Sequence, residues 1–330
     1  HDLLVLSSEL DGVARPQVYS GGYRPDTFDN LENKSVEGVT HVVQYCLPTE
    51  WRRYGTMRHI GYVEIESYDI RHSIWVDYFS MVDEIWCPNS DGAETIRKVF
   101  SGPVHVVPHA VDTSVYKKDY KISEIPEVSG TFKFLCVSEN NPRKNLGQLI
   151  YEFWGEFDPT EPVSLILKTD SSVNDLINHM KIVSRIYKQD VFQKIMLIDN
   201  RLSKDEMMGL YKYCNCYVSS SMGESWCLPI VHSMGFDKPI ISINRGGPKD
   251  ILSGYEKFTP IGSDKHGCES SIRIPGYQDG RDYWYKPNHE SIGEAMRSEY
   301  NMRGIPESKS NNIYRFSDQK FIERVKELLG

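Results

Sequence analysis

No apolar run in this chain approaches the roughly 20 residues that a membrane-spanning helix needs, and its start carries no signal-peptide pattern. Cysteine is sparse: seven in 330 residues, odd in number and without a C-x-x-C pair. That spacing encodes neither a disulfide framework nor a paired-thiol metal site, and Cys214 and Cys216 read as buried free thiols. No Asp-x-Asp metal motif is present. Basic charge is not in excess either: 38 Lys and Arg against 46 Asp and Glu give a net charge of −8. This argues against a broad nucleic-acid footprint and leaves room only for a local basic groove. These absences describe a soluble protein of a reducing, cytoplasmic compartment. The chain begins at His1 rather than Met, so a segment preceding it is expected.

Aromatic residues, by contrast, are plentiful (20 Tyr, 12 Phe, 6 Trp), which excludes disorder over most of the length. The chain is long enough for two α/β domains with sizeable cores. Short apolar strands are expected at Leu3–Leu6, Val39–Tyr45 and Tyr62–Ile65, and helical spacing runs from Ile74 to Phe79. A strand at Glu84–Cys87 then leads through an Asn89-Ser90-Asp91 cap into a helix ending near Phe100. After Gly102-Pro103 comes a strand at Val104–Val107. Alternating strands and helices predict a parallel sheet covered on both faces.

A polar stretch containing Pro and Glu, Lys117–Gly130, has linker composition. A second α/β run follows, with strands at Thr131–Val137, Val163–Leu167 and Ile195–Ile198 and a helix over 173–187. Ser203 caps a helix over Lys204–Tyr213. Arg143 and Lys144 fall at a helix start after the first strand of this run, where positive charge opposes the helix dipole. They are either solvated cations or ligands for an anion.

The densest stretch is CYVSSSMGESWCLPIVHSMGFDKPIISINRGGPKDIL, Cys216–Leu252. It reads as strand, loop, helix, strand, turn and helix start. Pro229 suits the first helical position because its missing N–H has no partner there in any case. Gly235, Asp237 and Pro239 end that helix, and Ile240, Ile241 and Ile243 mark a buried strand. A loop ending on a helix N-terminus presents free N–H groups to an anion. Glu224 lies in that loop, and His232 lies one turn into the helix. Beyond Leu252 the tail reads as loop-rich, closed by an amphipathic helix from Phe316 to Leu329 behind a Ser317 cap.

GESWCLPIVHSMGFDKPII resembles the signature of retaining GT-B glycosyltransferases, the glycosyltransferase family 4 or group 1 type. That family's pattern is Glu, seven residues, then a second Glu, with Leu-Pro between and a Gly-x-Pro-Val-Ile run after. Here Glu224, Leu228-Pro229 and Asp237-Lys238-Pro239-Ile240-Ile241 fit it, and His232 replaces the second Glu. GYVEIESYD, DEIWCPN and VHVVPHAVDTSVY are similar to the family's late acceptor-domain pattern, and RKN after the first strand of the second run is similar to its diphosphate-gripping site. DYWYKPNHESIGEAMR is similar to its Trp-x-x-Pro-then-helix segment.

The resemblance implies two Rossmann-like domains facing a cleft: an acceptor-side domain over 1–119, a linker over 120–130, a nucleotide-sugar domain over 131–315, and a helix over 316–330 returning to the first domain. It implies sugar transfer from a UDP- or GDP-sugar to a hydroxyl, with retention, and with no cofactor or metal. Glu224 would bind the sugar, Arg143 and Lys144 the diphosphate, and Ser225, Trp226, Cys227 and Leu228 would offer backbone amides. Ser138 stands near the place of a further family Arg, and Asn200 and Arg201 are placed to read the base. His232 either contacts ribose or phosphate or is a packed helix histidine. On the acceptor side Gly21-Gly22, His41, Glu64 and Glu66 are candidates, although each could equally be an ordinary turn or strand-end residue. Two alternatives stand beside transfer: a nucleotide-sugar epimerase of the same fold, and a non-catalytic nucleotide-sugar binder. The acceptor could be a glycan, a lipid-linked sugar or a small molecule; net acidity disfavours a modified DNA base. Oligomeric state is not legible.

Overall fold

The computed structural model describes residues 3–6, 38–120, 125–169, 173–188, 191–268, 277–278, 280–303 and 312–330. Gly21 and Gly22 lie outside them. The first unit runs β1 (Leu3–Leu6), β2 (His41–Tyr45), β3 (Arg58–Tyr62), α1 (Trp75–Tyr78), β4 (Glu84–Cys87), α2 (Ser90–Arg97) and β5 (Val104–Val106). Its five strands are parallel and lie in chain order. Their C-terminal ends therefore share one edge of the sheet.

β3 sits upstream of the strand expected at Tyr62–Ile65. Gly61, which reads locally as a breaker, is a strand residue here because the Trp51 ring fills the space its side chain would occupy: a Cβ would meet that ring at 2.4 Å. The shift matters for the site, since Glu64 and Glu66 then follow the strand and project from its C-terminal end. The helix expected from Ile74 is a single turn continued by a 3₁₀ turn, Phe79–Met81.

The second unit runs β6 (Phe132–Val137), α3 (Leu146–Glu156), β7 (Val163–Lys168), α4 (Val173–Tyr187), β8 (Lys194–Ile198), α5 (Lys204–Tyr213), β9 (Cys216–Val218), α6 (Leu228–Gly235), β10 (Ile240–Ile243), α7 (Gly246–Ile251) and β11 (Phe258–Ile261). Its six strands, all parallel, lie in the order β11-β10-β9-β6-β7-β8. Both faces are covered, so alternate residues of one strand enter two cores: Leu135 on one side, Phe134 and Cys136 on the other. Near-continuous apolar strands follow from that arrangement. In α3, Leu149, Ile150 and Phe153 are fully buried, each worth about 1.5–3 kcal/mol of transfer free energy. Ser203 caps α5 as expected, and Glu206 completes a capping box by returning a side-chain bond to the Ser203 backbone.

The tail after Leu252 is more structured than expected. Beyond β11, β12 (Ser263–Gly267) pairs antiparallel with β13 (Tyr283–Pro287), and α8 (Ser291–Asn301) packs into the second core through Ile292 and Met296. β11 contains Pro260, which an edge strand tolerates and which hides the strand from a reading by composition. α9 (Asp318–Leu329), capped by Ser317, crosses to the first sheet, where Val325 and Phe321 pack on Val43, Ile60, Tyr62, Trp86 and Val107. Among the described residues no helix is long and apolar enough to cross a membrane.

The start of α2 fastens the two units together. Asn89 Oδ1 caps its own helix at Gly92 N (2.8 Å), while its Nδ2 donates to the Ser225 carbonyl at 2.5 Å. Ser90 N and Oγ donate to the Asp250 carboxylate at 2.5 and 2.7 Å. Buried Asp91 accepts from Gly246 N at 2.9 Å and from Lys249 Nζ at 2.6 Å. A helix cap thus doubles as an interdomain clasp.

Candidate active site

The second sheet reverses its winding between β6 and β9, and ligands of open α/β sheets bind at such a switch, outside the strand C-termini. Ser138 follows β6 and Ser219 follows β9 at this point, and both line a cavity of about 410 Å³. The first sheet contributes Tyr45, Glu64, Glu66, His109 and Ala110 to the same cavity. A more open recess of about 780 Å³ shares Val137, Ser138, Lys144 and Pro229 with it and adds Arg143, Lys168, Asp199 and Arg201.

Arg143 and Lys144 sit on a 3₁₀ turn, Pro142–Lys144, rather than on the α-helix start expected for them. Asn141 caps this turn by accepting from Lys144 N, and Asn145 leaves it at φ 56°. Asn is among the few residues that enter this left-handed region readily, so the chain can break between turn and helix here. The break directs both cations toward the loop after β9.

That loop is tied down on every side. Met222 N donates to the Arg143 carbonyl at 2.8 Å and Ser220 Oγ to the Lys144 carbonyl at 2.7 Å. Tyr285 N donates to the Met222 carbonyl at 2.9 Å, and Gly247 N to the Glu224 carbonyl at 2.8 Å. Gly246 has φ +58°, and a Cβ there would meet the Glu224 carbonyl at 2.4 Å; only glycine permits both the conformation and the approach. Cys227 enters α6 at φ 128°, a strained value for a residue with a side chain. The first turn of α6 lines the cavity through Leu228 and Pro229, while Ile230 N and Val231 N both donate to the Cys227 carbonyl, at 3.1 and 3.3 Å.

Glu224 is the hub of the charges. Its Oε1 lies 2.5 Å from Lys144 Nζ and its Oε2 3.6 Å from Arg143 Nη1. Arg143 Nη2 also reaches Glu66 Oε1 at 2.8 Å, bridging the two units. Burial pushes the Glu224 carboxyl up, but Lys144 and Arg143 outweigh it and hold it below the usual Glu value. Glu66 goes the other way: burial, aided by nearby Glu224, outweighs Arg143 and raises it. Lys144 loses to burial and gains more from Glu224, so its ammonium is held above the ordinary lysine value.

The remaining sequence candidates divide. Ser138, Ser225, Trp226, Cys227 and Leu228 line the cavity, and Arg201 lines the adjoining recess, which Asn200 does not. His232 lines neither. Its Nδ1 lies 3.0 Å from the Tyr116 hydroxyl and its ring packs at 5.3 Å from Tyr211. Burial lowers its pKa to about 4, which keeps the ring neutral. His41 lies at the N-terminal end of β2, away from the edge that carries the cavity, with its Nδ1 at Thr40 Oγ1. Tyr45 and His109 also line the cavity and are not among the sequence candidates. Tyr45 ends a parallel strand and His109 follows one, in VHVVPHAVDTSVY, which are the signals that point to them.

Residues 181–263 match the family described as glycosyl transferases group 1. The structure is similar to Anabaena Alr3699/HepE in complex with UDP and glucose, at 14% identity and TM-score 0.59, over 88% of this chain and 77% of that one. It is similar to an alpha,alpha-trehalose-phosphate synthase (UDP-forming) from Burkholderia xenovorans, in complex with glucose-6-phosphate, at 10% identity and TM-score 0.60, over 88% and 74%. A variant of S. aureus TarM, in complex with Fondaparinux, alpha-GlcNAc-glycerol and UDP, is similar at 11% identity and TM-score 0.55, over 88% of this chain but 55% of that one. The chain thus spans about half the length of TarM. A comparison with curated protein sequences yields no match. The fold is GT-B, two Rossmann-like units facing a cleft, and the second unit carries the group 1 segment.

Proposed function

We propose that this GT-B chain transfers a sugar from a nucleoside diphosphate sugar to an acceptor hydroxyl, with retention of configuration and without a metal ion. One observation carries the reading. Lys144, Glu224 and the start of α6 line one cavity between two parallel sheets, and Arg143, from the adjoining recess, reaches the Glu224 carboxylate at 3.6 Å. Cleaving a glycosyl diphosphate places negative charge on the departing phosphate and partial positive charge on the anomeric carbon. Fixed cations and the positive end of the α6 dipole stabilise the first as it develops, at no reorganisation cost. Glu224 then accepts hydrogen bonds from sugar hydroxyls and places the ring.

The recess lined by Lys168, Asp199, Arg201 and Leu202 is suited to the nucleoside, since it adjoins the cation turn. Retention follows if the acceptor oxygen approaches the face the phosphate leaves. The bond from anomeric carbon to phosphate oxygen breaks, the bond from acceptor oxygen to that carbon forms, and the acceptor proton passes to the departing phosphate. No protein nucleophile is then required, only alignment. UDP is favoured as the nucleotide because UDP is bound in the HepE and TarM complexes similar to this chain. The acceptor is a hydroxyl compound such as a glycan, a lipid-linked sugar or a small molecule.

The test is turnover of a panel of UDP- and GDP-sugars with a mixed hydroxyl acceptor pool, read by mass spectrometry, with the product's anomeric configuration read by NMR. New glycoside in the donor's configuration, undiminished by EDTA, is expected. Interconversion of the free donor sugar without acceptor, or binding of UDP without any turnover, would replace this reading with an epimerase or a binder.

A further inference from the structure

The cavity has a second end, on the first sheet, that the donor chemistry does not use. Tyr45 donates its hydroxyl to Glu64 Oε1 at 2.5 Å, and His109 Nε2 lies 3.1 Å from the same oxygen. The three side chains come from the ends of β2, β3 and β5, brought to one edge by parallel order. Around them stands an aromatic wall: Tyr45 and Tyr62 edge to face at 5.0 Å, and His109 edge to face with Trp226 at 5.7 Å. Tyr45 keeps 44% of its surface exposed.

Among the described residues the charge at this end is weighted to carboxylates: Glu64, Glu66 and Glu224 line the cavity, with Lys144 as the lining cation. Once a diphosphate draws Arg143 and Lys144 to itself, the three carboxylates face the remaining space with less compensation. His109 and Tyr45 hold the Glu64 carboxyl below its ordinary value against the upward push of burial, so it stays an acceptor of hydrogen bonds.

We propose that Tyr45, Glu64 and His109 form the acceptor subsite, and that it takes an uncharged sugar ring and rejects a phosphorylated one. The proposal rests on the transferase reading of the cleft. A pyranose offers a C–H face to the Tyr45 and Trp226 rings and hydroxyls to the carboxylates, which accept only. A phosphate brings negative charge into a cavity already lined by carboxylates, where the local dielectric is low and like-charge contact is costly.

The experiment is saturation-transfer NMR on the whole chain with saturating UDP. The probes are methyl glycosides of glucose, galactose, mannose and N-acetylglucosamine, each beside its 6-phosphate. At least one neutral glycoside is expected to bind about tenfold or more tightly than its phosphate, corresponding to about 1.4 kcal/mol. Glu64→Gln is expected to weaken the neutral ligand and to narrow that ratio, and Tyr45→Ala to weaken the neutral ligand alone. Equal or tighter binding of a phosphate, a ratio unmoved in Glu64→Gln, or no signal from any neutral glycoside overturns the proposal. Calorimetric titration of UDP into the wild type is run alongside. Absence of UDP binding there would strike at the transferase reading, whereas UDP binding with a phosphate-preferring acceptor end would strike only at the subsite.

Discussion

Lys144 Nζ and Glu224 Oε1 are 2.5 Å apart, with their side chains only 16% and 11% exposed. Neither charge is well solvated, so each depends on the other until something else enters. Glu224→Gln would leave Lys144 and Arg143 facing Glu66 alone. A hydrogen bond to a charged group contributes about 1.5–3 kcal/mol, so the nucleotide-free variant is expected to melt several degrees below wild type. UDP supplies negative charge at the same cations and is expected to close most of that gap while sugar transfer stays lost. Differential scanning fluorimetry with and without UDP checks this. Near wild-type turnover in Glu224→Gln would remove the residue from its assigned role.

Contact with the diphosphate is distinguishable from contact with the nucleoside, although both cations line the recess proposed for it. Lys144→Ala is expected to weaken UDP by about tenfold to a hundredfold, the scale of one charge-assisted hydrogen bond. Uridine, which carries no phosphate, is expected to change little. Calorimetric titration of both ligands into both proteins decides it, and equal losses would place Lys144 elsewhere than on the diphosphate.

The glycines of the cleft make a steric prediction. A Cβ on Gly223 would meet the Glu66 carbonyl, across the unit boundary, at 2.5 Å, and one on Gly246 would meet the Glu224 carbonyl at 2.4 Å from a backbone at φ +58°. Both obstacles are backbone and cannot swing aside. Gly246→Ala also forces a left-handed conformation on alanine, at a cost on the order of 1–3 kcal/mol. Each variant is expected to lose most transfer activity. Gly223→Ala should act by pushing the units apart, which small-angle scattering reads as a larger radius of gyration, whereas Gly246→Ala should act through the Glu224 loop at unchanged radius. An active Gly246→Ala enzyme would show that the Glu224 loop tolerates displacement.

What local sequence carried, and what it did not, follows from where each feature gets its stability. The Ser203 cap of α5, Pro229 in the first turn of α6 and the apolar run of β10 are set by residues within a few positions of one another, and all were readable. β3 was misplaced because Gly61 is explained only by Trp51, ten positions away in sequence and packed against it in space. The tail strands were missed because β11 is an edge strand containing Pro and β12 is polar throughout. Local sequence does not decide between ribose contact and packing for His232 because Tyr116, which meets it, lies 116 residues away. His109 falls within VHVVPHAVDTSVY but nothing in that stretch points it to Glu64, and Tyr45 belongs to no motif; parallel strand order brings both to Glu64.

His232 also provides a pH test. Burial, with a smaller contribution from Lys204, lowers its pKa from 6.5 to about 4, so the folded protein resists a proton that the unfolded chain accepts. The sign is that of a depressed group: its stability contribution is full above the unfolded value and is lost as pH falls through the folded one. Between pH 6.5 and about 4 this one ring is therefore expected to steepen the loss of stability on acidification, by on the order of 3 kcal/mol in total. His232→Gln keeps a side-chain group able to meet the Tyr116 hydroxyl but cannot titrate. Urea unfolding of both proteins across that range is expected to give a shallower pH dependence for the variant while UDP affinity at neutral pH is unchanged. Parallel profiles would refute the packed, neutral histidine, and a large loss of UDP affinity would instead return the side chain to the ribose.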